Sequence, residues 1–199
     1  MTLVPGKSLP LDPCTFVRYA EVAAKQRLLD PQGQALPRVS PKSQGAYQVV
    51  GVISDTHGLV RPQALAALED SDLIVHAGDV GKPEVLAALQ KVAPVVAVRG
   101  NTDRGAWARA LPHSEVVRVG GLSLYVLHDV NDLDLDPVAA DFNAVISGHS
   151  HRPRVDERAG VMFLNPGSAG PRRFNLPVAL ARLHIRDGAF NVQLIELDV

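Results

Sequence analysis

The chain carries a single cysteine, Cys14, among its 199 residues. That excludes an intramolecular disulfide and any thiolate metal cluster. Excess charge of either sign is also missing, since 20 basic residues stand against 21 acidic ones for a net charge of −1. A chain so balanced has no bulk electrostatic attraction for nucleic acid. Long apolar runs are absent too, none approaching the roughly 18 residues needed to cross a bilayer. No basic segment followed by a long apolar stretch marks a secretory signal, so no membrane partner and a cytoplasmic location are expected. Internal repeats at a solenoid period and low-complexity tracts are also lacking. What the chain does have is apolar material, 46% of its residues, which is enough for one sizeable core.

Residues 1–48 differ from the rest. They hold six prolines (5, 10, 13, 31, 37 and 41) and six basic residues against three acidic ones. Asp12-Pro13 can cap and start a helix. Val17, Ala20, Ala24 and Leu28 then fall at helical spacing, and Pro31-Gln32-Gly33 stops it. This stretch reads as an N-terminal extension, a short helix plus linker outside the main fold, and residues 49–199 read as the domain. A docking arm, a poorly ordered tail and a translation start nearer Val49 are three readings of the extension.

From Val49 the pattern becomes regular. Val49–Ile53, Asp72–Val75 and Val95–Val98 are short apolar, β-branched runs, as expected of strands buried on both faces. Between them, Pro62–Glu69 and Pro83–Lys91 read as helices with proline in the first turn. This alternation implies parallel strands with right-handed crossovers. The second half is richer in strand. Val116–Val119, Leu122–Leu127, Ala144–Ser147, Arg154–Asp156, Val161–Leu164, Val178–Ile185 and Phe190–Leu197 all read as strands, with turns at Gly120-Gly121, Ala159-Gly160 and Asp187-Gly188. Pro137–Phe142 reads as a short helix. An α/β half followed by a β-rich half points to two sheets packed face to face with helices outside.

The chemistry lies where those strands end. Ser54-Asp55-Thr56-His57-Gly58 follows the first strand, and His76-Ala77-Gly78-Asp79 follows the second. The third is followed by Arg99-Gly100-Asn101-Thr102-Asp103, Leu122–Leu127 by His128-Asp129, and Ala144–Ser147 by Gly148-His149-Ser150-His151. A lone His-x-His is more often a pair of surface histidines than a metal site. Five strands ending in metal-competent side chains beside small residues are a different matter. Core packing accounts for the Val/Ile runs and does not account for the polar residue after each. In open α/β sheets, ligands bind outside the carboxyl ends of the strands.

Asp55, His57, Asp79, Asn101, His128, His149 and His151 supply seven candidate ligands. If Asp79 bridges, each of two metals can have four. Two divalent ions against two carboxylates leave positive charge for a bridging hydroxide and an anionic phosphate. The four imidazoles favour transition metals over an all-oxygen Mg or Ca site. We expect two divalent ions, with Mn first and Ni, Co, Zn or Fe as alternatives. Ions about 3.5–4 Å apart lower the pKa of a shared water and clamp attacking and leaving oxygens.

The series Asp-x-His, Gly-Asp, Gly-Asn-x-Asp, a lone His after a strand and Gly-His-x-His resembles the calcineurin-like metallophosphoesterase superfamily. Short spacing, Asn165-Pro166-Gly167-Ser168 and Pro171-Arg172 are similar to its small YfcE/Vps29-type phosphodiesterase branch. The resemblance covers about residues 49–198. It implies a four-layer αββα sandwich of two mixed β-sheets flanked by helices. It also implies that Asp55, His57, Asp79 and His151 bind one metal and that Asp79, Asn101, His128 and His149 bind the other. Asp55, Asp79, Asn101 and His128 would then be catalytic. The function implied is a metal-dependent phosphodiesterase acting on a small phosphodiester or nucleotide-like substrate, with a second copy of the chain as a further candidate partner. The alternatives are a catalytically weak Vps29-like interaction scaffold, and a phosphomonoesterase or nucleotide pyrophosphatase on the same site.

One departure matters. Many members have Gly-Asn-His, whose histidine helps protonate the leaving group, and Thr102 stands in its place here. Threonine is no general acid near neutral pH. Diesters with good leaving groups are therefore the expected substrates. Four further residues are candidates for supporting ligands or holding substrate. His76 is either a supporting residue or a packed strand-end histidine. Asp103 either orients Asn101 or a ligand histidine, or caps a helix. Arg104 and Arg172 either grip phosphate or are ordinary surface arginines. Asp129 reads as a loop carboxylate or cap, Trp107 as core packing or a base-stacking platform, and His113 and His184 as structural.

Overall fold

The fold is a computed structural model that describes residues 47–173 and 175–199. The short helix and linker expected in the N-terminal extension lie outside the described residues. The first apolar run forms β1 (Tyr47–Ile53), buried from Gln48 onward. It pairs in parallel with β2 (Leu73–His76), and β2 pairs in parallel with β3 (Val95–Ala97). The crossovers are helical: α1 (Pro62–Ala67) and α2 (Pro83–Gln90) both start on proline, whose missing N–H costs nothing in a first turn. A third short helix, α3 (Ala106–Arg109), follows β3.

The β-rich half contributes to both sheets. β4 (Ser114–Val119), β5 (Leu122–Leu127), β6 (Ala144–Ile146), β7 (Arg154–Arg158) and β8 (Val161–Asn165) form a second sheet in the order β4-β5-β6-β8-β7. β9 (Ala179–Arg186) and β10 (Ala189–Glu196) return to complete the first, in the order β10-β9-β1-β2-β3. Each sheet has three parallel strands: β1, β2 and β3 along one side of the first, and β5, β6 and β8 in the middle of the second. The β9–β10 turn has left-handed φ at both central residues, Asp187 at 51° and Gly188 at 76°. Those signs match the twist of a two-residue hairpin.

Strand pleating sorts the apolar side chains. Val50, Val52, Leu73 and Val75 point into the layer between the sheets, where they meet Leu124, Val126, Ile146 and Leu164. Ile53 and Ile74 point the other way, against Leu68, Leu86 and Leu89. Burying each such side chain contributes about 1.5–3 kcal/mol. On the far face of the second sheet, Tyr125, Leu127 and Val145 are covered by Leu133, Leu135 and Phe142. That cover contains a 3-10 turn at Val130–Asp132. Pro137–Phe142 is a run of turns instead of the expected helix. Asp136 Oδ1 accepts from the amides of Val138 and Ala139 as an N-cap would, but Asp141 turns left-handed at φ 56° and closes the segment after one turn. No described helix is long and apolar enough to cross a membrane.

Candidate metal centre

The carboxyl ends of the parallel strands of both sheets meet at one edge. Loop 54–58 after β1 is laced to loop 77–80 after β2 by backbone bonds from Asp55 N to Gly78 O (3.0 Å), His57 N to Asp79 O (2.9 Å) and Gly58 N to Val80 O (2.8 Å). From the other sheet, the amide of Gly148 donates to His128 O (2.9 Å), and that of His149 donates to Asp55 Oδ2 (3.1 Å). Gly148 must be a glycine: a Cβ there would overlap Ser54 Oγ and come within 2.6 Å of Asp55 Oδ2. Gly100 is equally constrained, because its Cβ would overlap the amide and Oδ1 of Asp79.

Five of the seven candidate ligands have left-handed backbone: Asp55 (φ 53°), His57 (47°), Asp79 (52°), His149 (66°) and His151 (58°). This conformation costs an L-residue roughly 1–2 kcal/mol. Such strain persists where surrounding contacts impose it, and it concentrates at functional sites. Here it turns the side chains of successive strand ends toward one point.

Two clusters result. In the first, His151 Nε2 lies 3.2 Å from Asp55 Oδ1 and 3.3 Å from His57 Nε2. Asp55 is fully buried, yet among the described residues its Oδ1 accepts no hydrogen bond, while its Oδ2 takes Ser54 Oγ at 2.6 Å. A buried carboxylate oxygen facing two imidazole nitrogens fits a cation, whose charge would satisfy all three groups. Burial lowers the pKa of His57 against the opposing pull of Asp79, and the charge of Arg173 lowers it further. The ring is thereby kept neutral, as a ligand must be.

In the second cluster, Asn101 Oδ1 lies 2.9 Å from His128 Nε2 and 3.2 Å from His149 Nδ1. His128 Nδ1 donates to Ala77 O at 2.8 Å, which directs Nε2 inward. His149 is turned by Asp129, whose Oδ2 lies 3.5 Å from its Nε2 while Oδ1 accepts from Asn131 N at 3.0 Å. Asp129 is therefore both a cap and a partner of a candidate ligand. Asp79 Oδ2 lies between the clusters, 3.9 Å from His57 Nε2 and 3.5 Å from His128 Nε2. Burial alone would raise the Asp79 pKa. Hydrogen bonds from His128 and the Thr102 amide (2.8 Å) outweigh it and hold the carboxyl far below its usual range. Burial alone would lower His128; its bonds to Asp79 and Ala77 O push it up to about 9 with no ion present.

Of the four supporting candidates, two pack against the loops that carry the ligands. His76 is fully buried, its Nε2 is 2.9 Å from Thr56 Oγ1, and desolvation pushes its pKa down to about 4. Asp103 caps no helix and does not reach Asn101. Its carboxylate accepts from the amides of Val80 (3.2 Å), Gly81 (2.7 Å) and Gly100 (2.9 Å), tying loop 77–81 to loop 99–103. Neither arginine has a hydrogen bond or ion pair to a candidate ligand among the described residues. Arg104 is exposed and has no hydrogen bond or ion pair among the described residues. Arg172 Nη2 donates to Val199 O (3.4 Å). The neighbouring Arg173 is the one that reaches the cluster, with Nη2 3.3 Å from His57 Nε2. Asn165 and Ser168 also have defined places: Asn165 Nδ2 donates to Gly148 O (2.6 Å) and Ser150 Oγ (3.0 Å), and Ser168 Oγ donates to Asp55 O (2.9 Å). The Asn-Pro-Gly-Ser turn thus buttresses both loops of the first cluster. Trp107 packs against the helix-side core, and His184 bonds Tyr47 Oη (2.7 Å). His113, expected to be structural, is in the wall of a cavity of about 380 Å³ that opens onto Asn101, His128 and His149, together with Arg99 and Tyr125.

The calcineurin-like phosphoesterase superfamily domain matches residues 49–188. A probable metallophosphoesterase of Methanocaldococcus jannaschii is 34% identical over 156 residues, covering 72% of this chain and 79% of that protein. Among solved structures, a predicted phosphoesterase from Streptococcus pneumoniae superposes with a TM-score of 0.60 at 26% identity, covering 76% of this chain and 91% of that one. Vacuolar protein sorting 29 from Cryptosporidium parvum shares the fold with a TM-score of 0.63 at 20% identity, over 77% of this chain and 99% of that one. The five strand-end loops that converge here all fall inside the matched segment, and the chain belongs to the calcineurin-like phosphoesterase superfamily.

Proposed function

We propose that the chain is a metal-dependent phosphodiesterase with a binuclear centre. Asp55, His57, Asp79 and His151 would hold one ion, and Asp79, Asn101, His128 and His149 the other. The observation that carries this reading is the place of Asp79 Oδ2, 3.9 Å from the nearest imidazole of one cluster and 3.5 Å from that of the other. Two divalent ions, when bound, would supply Lewis acidity and a nucleophile at neutral pH. The donor set, two carboxylates, four imidazoles and one amide oxygen, suits Mn, Ni, Co, Zn or Fe.

The chain's own residues do the rest. Asp55 and Asp79 bring negative charge to the centre, and Asn101 adds a neutral oxygen. Ala77 O and Asp129 fix which nitrogen His128 and His149 present. The cavity beyond Asn101, His128 and His149 is where one ester arm of the substrate would lie. At the position where a general acid is expected, the Thr102 side chain supplies no proton, and its amide is used on Asp79. This supports diesters with good leaving groups as substrates.

The test is an assay of metal-free full-length protein reloaded with each divalent ion in turn. A diester, a monoester and a dinucleotide with matched leaving groups would be compared at equal concentration. Preferential diester turnover that depends on two ions per chain is expected. Two bound ions with no turnover would make the protein a binding module. Preference for the monoester or dinucleotide would move the substrate class and leave the centre in place.

A further inference from the structure

The clearest polar group beside the cluster without an assigned task is Arg173. Its loop is fixed by the rest of the site. Gly170 O accepts from Arg61 Nε (3.3 Å) and Nη2 (3.1 Å), and Gly170 N donates to Ser168 Oγ (3.3 Å). A Cβ on Gly170 would overlap the carbonyl oxygen of Asp55, so the loop is pressed onto the backbone that presents Asp55 and His57. Three residues on, Arg173 Nη2 reaches His57 Nε2 at 3.3 Å.

A guanidinium does not deprotonate, so in this contact Arg173 donates and His57 Nε2 accepts. That nitrogen has one lone pair. It is also one of three donor atoms, with Asp55 and His151, that lie close enough together to hold an ion. The lone pair can serve Arg173 or an ion, not both. Once an ion takes it, Arg173 loses its acceptor and is left a few ångströms from a like charge. Arg173 is exposed and free to swing toward solvent, but an anion placed between them turns that repulsion into a bridge. The two nonbridging oxygens of a phosphodiester match the paired N–H donors of a guanidinium.

We propose that Arg173 is a phosphate-anchoring residue: released from His57 when an ion binds there, its guanidinium grips a nonbridging oxygen of a phosphoryl group held at the same centre. This rests on the metal-centre reading above. It makes Arg173 a substrate-binding group and leaves Arg172, one position earlier, outside the site.

The anchoring role predicts opposite signs for two affinities. In Arg173→Ala, calorimetric titration of the metal-free full chain with Mn²⁺ should show affinity equal to wild type or a few-fold tighter, because a competitor for His57 is gone. Titration of the Mn²⁺-loaded protein with inorganic phosphate should show affinity weaker by about tenfold or more, as expected for a lost charge-assisted hydrogen bond. Arg173→Lys should recover part of the phosphate affinity, and Arg172→Ala should change neither. With bis(p-nitrophenyl) phosphate, Arg173→Ala should raise KM more than it lowers kcat. Phosphate affinity within twofold of wild type in Arg173→Ala would overturn the proposal. So would Mn²⁺ and phosphate affinities falling together, the mark of a merely structural residue, and so would wild-type protein that binds no phosphate. Arg173-dependent phosphate binding without diester turnover would uphold the anchor and defeat the phosphodiesterase reading.

Discussion

Each cluster pairs two histidines with one oxygen donor, a carboxylate (Asp55) in the first and an amide (Asn101) in the second, and the two sit in different surroundings. Asp55 and His151 are buried, and His57 is nearly so. In the other cluster His128 is buried, but Asn101 is exposed and His149 has 44% of its side chain open to solvent. The buried cluster already holds an oxygen with no hydrogen bond among the described residues; the open one has its oxygen, Asn101 Oδ1, contacted by both imidazoles. An ion entering the first cluster relieves a buried carboxylate oxygen, although it displaces the exposed Arg173 from His57, whereas an ion entering the second must break both contacts to Asn101 Oδ1. The first position should therefore fill first and exchange slowly. The second, facing the cavity, should fill later and exchange faster.

The strongest way to break this contrast is to remove what the clusters share. Asp79→Asn should lose both ions and reduce diester turnover on the order of a thousandfold; metal content by mass spectrometry and turnover check it, and two retained ions with full activity would falsify the bridge. Next come the two histidines of the Gly-His-Ser-His loop. His151→Ala should weaken the tight position by about a hundredfold, and His149→Ala the loose one by about tenfold. Each should leave one ion bound, and identical titration curves for the two variants would erase the distinction. A pH series is subtler. With His128 near pH 9 when no ion is present, protonated His128 competes with metal below that value. Affinity at the second position should tighten by up to about tenfold per pH unit between pH 7 and 9 and then level off. The first position should show a flatter profile. Without metal, the stability that His128 contributes is fully present below its unfolded value of about 6.5 and is lost as pH rises through about 9. The most selective effect is expected from Thr102→His: turnover of diesters with poor leaving groups should rise severalfold, by less than the roughly hundredfold that an optimally placed general acid supplies, while good leaving groups change little. A uniform gain across leaving groups would show that proton donation was not what the wild-type chain lacks.

Much of this was legible in the sequence because the strands of a doubly covered sheet are unbroken Val/Ile runs, and the residue after each run stands out. β5 matches its expected limits at Leu122 and Leu127, and β1 starts two residues early, at Tyr47. What was not legible depends on single backbone angles and on loops. Pro137–Phe142 has helix-forming residues and a cap at Asp136, but one left-handed residue ends it, and Val138 is 52% exposed, so no apolar face held it together. Arg172 and Arg173 are adjacent in a loop with no periodicity, and nothing in the local pattern says which one turns inward. Asp103 reads from the sequence equally as a support for a ligand or as a cap, and nothing local decides between them; its three amide partners come from two loops that only the fold brings together.

Each cluster draws donors from both sheets. Asp55 and His57 follow β1 and meet His151 from beyond β6; Asn101 follows β3 and meets His128 and His149 from beyond β5 and β6. The bond from His128 to Ala77 O crosses the same divide. The layer of Val, Leu and Ile between the sheets therefore works like the spacer in a vice: its thickness sets how far apart the jaws stand. A methylene removed there, as in Ile146→Val or Leu164→Val, would be felt far from any polar atom, as a change in which size of ion the edge prefers.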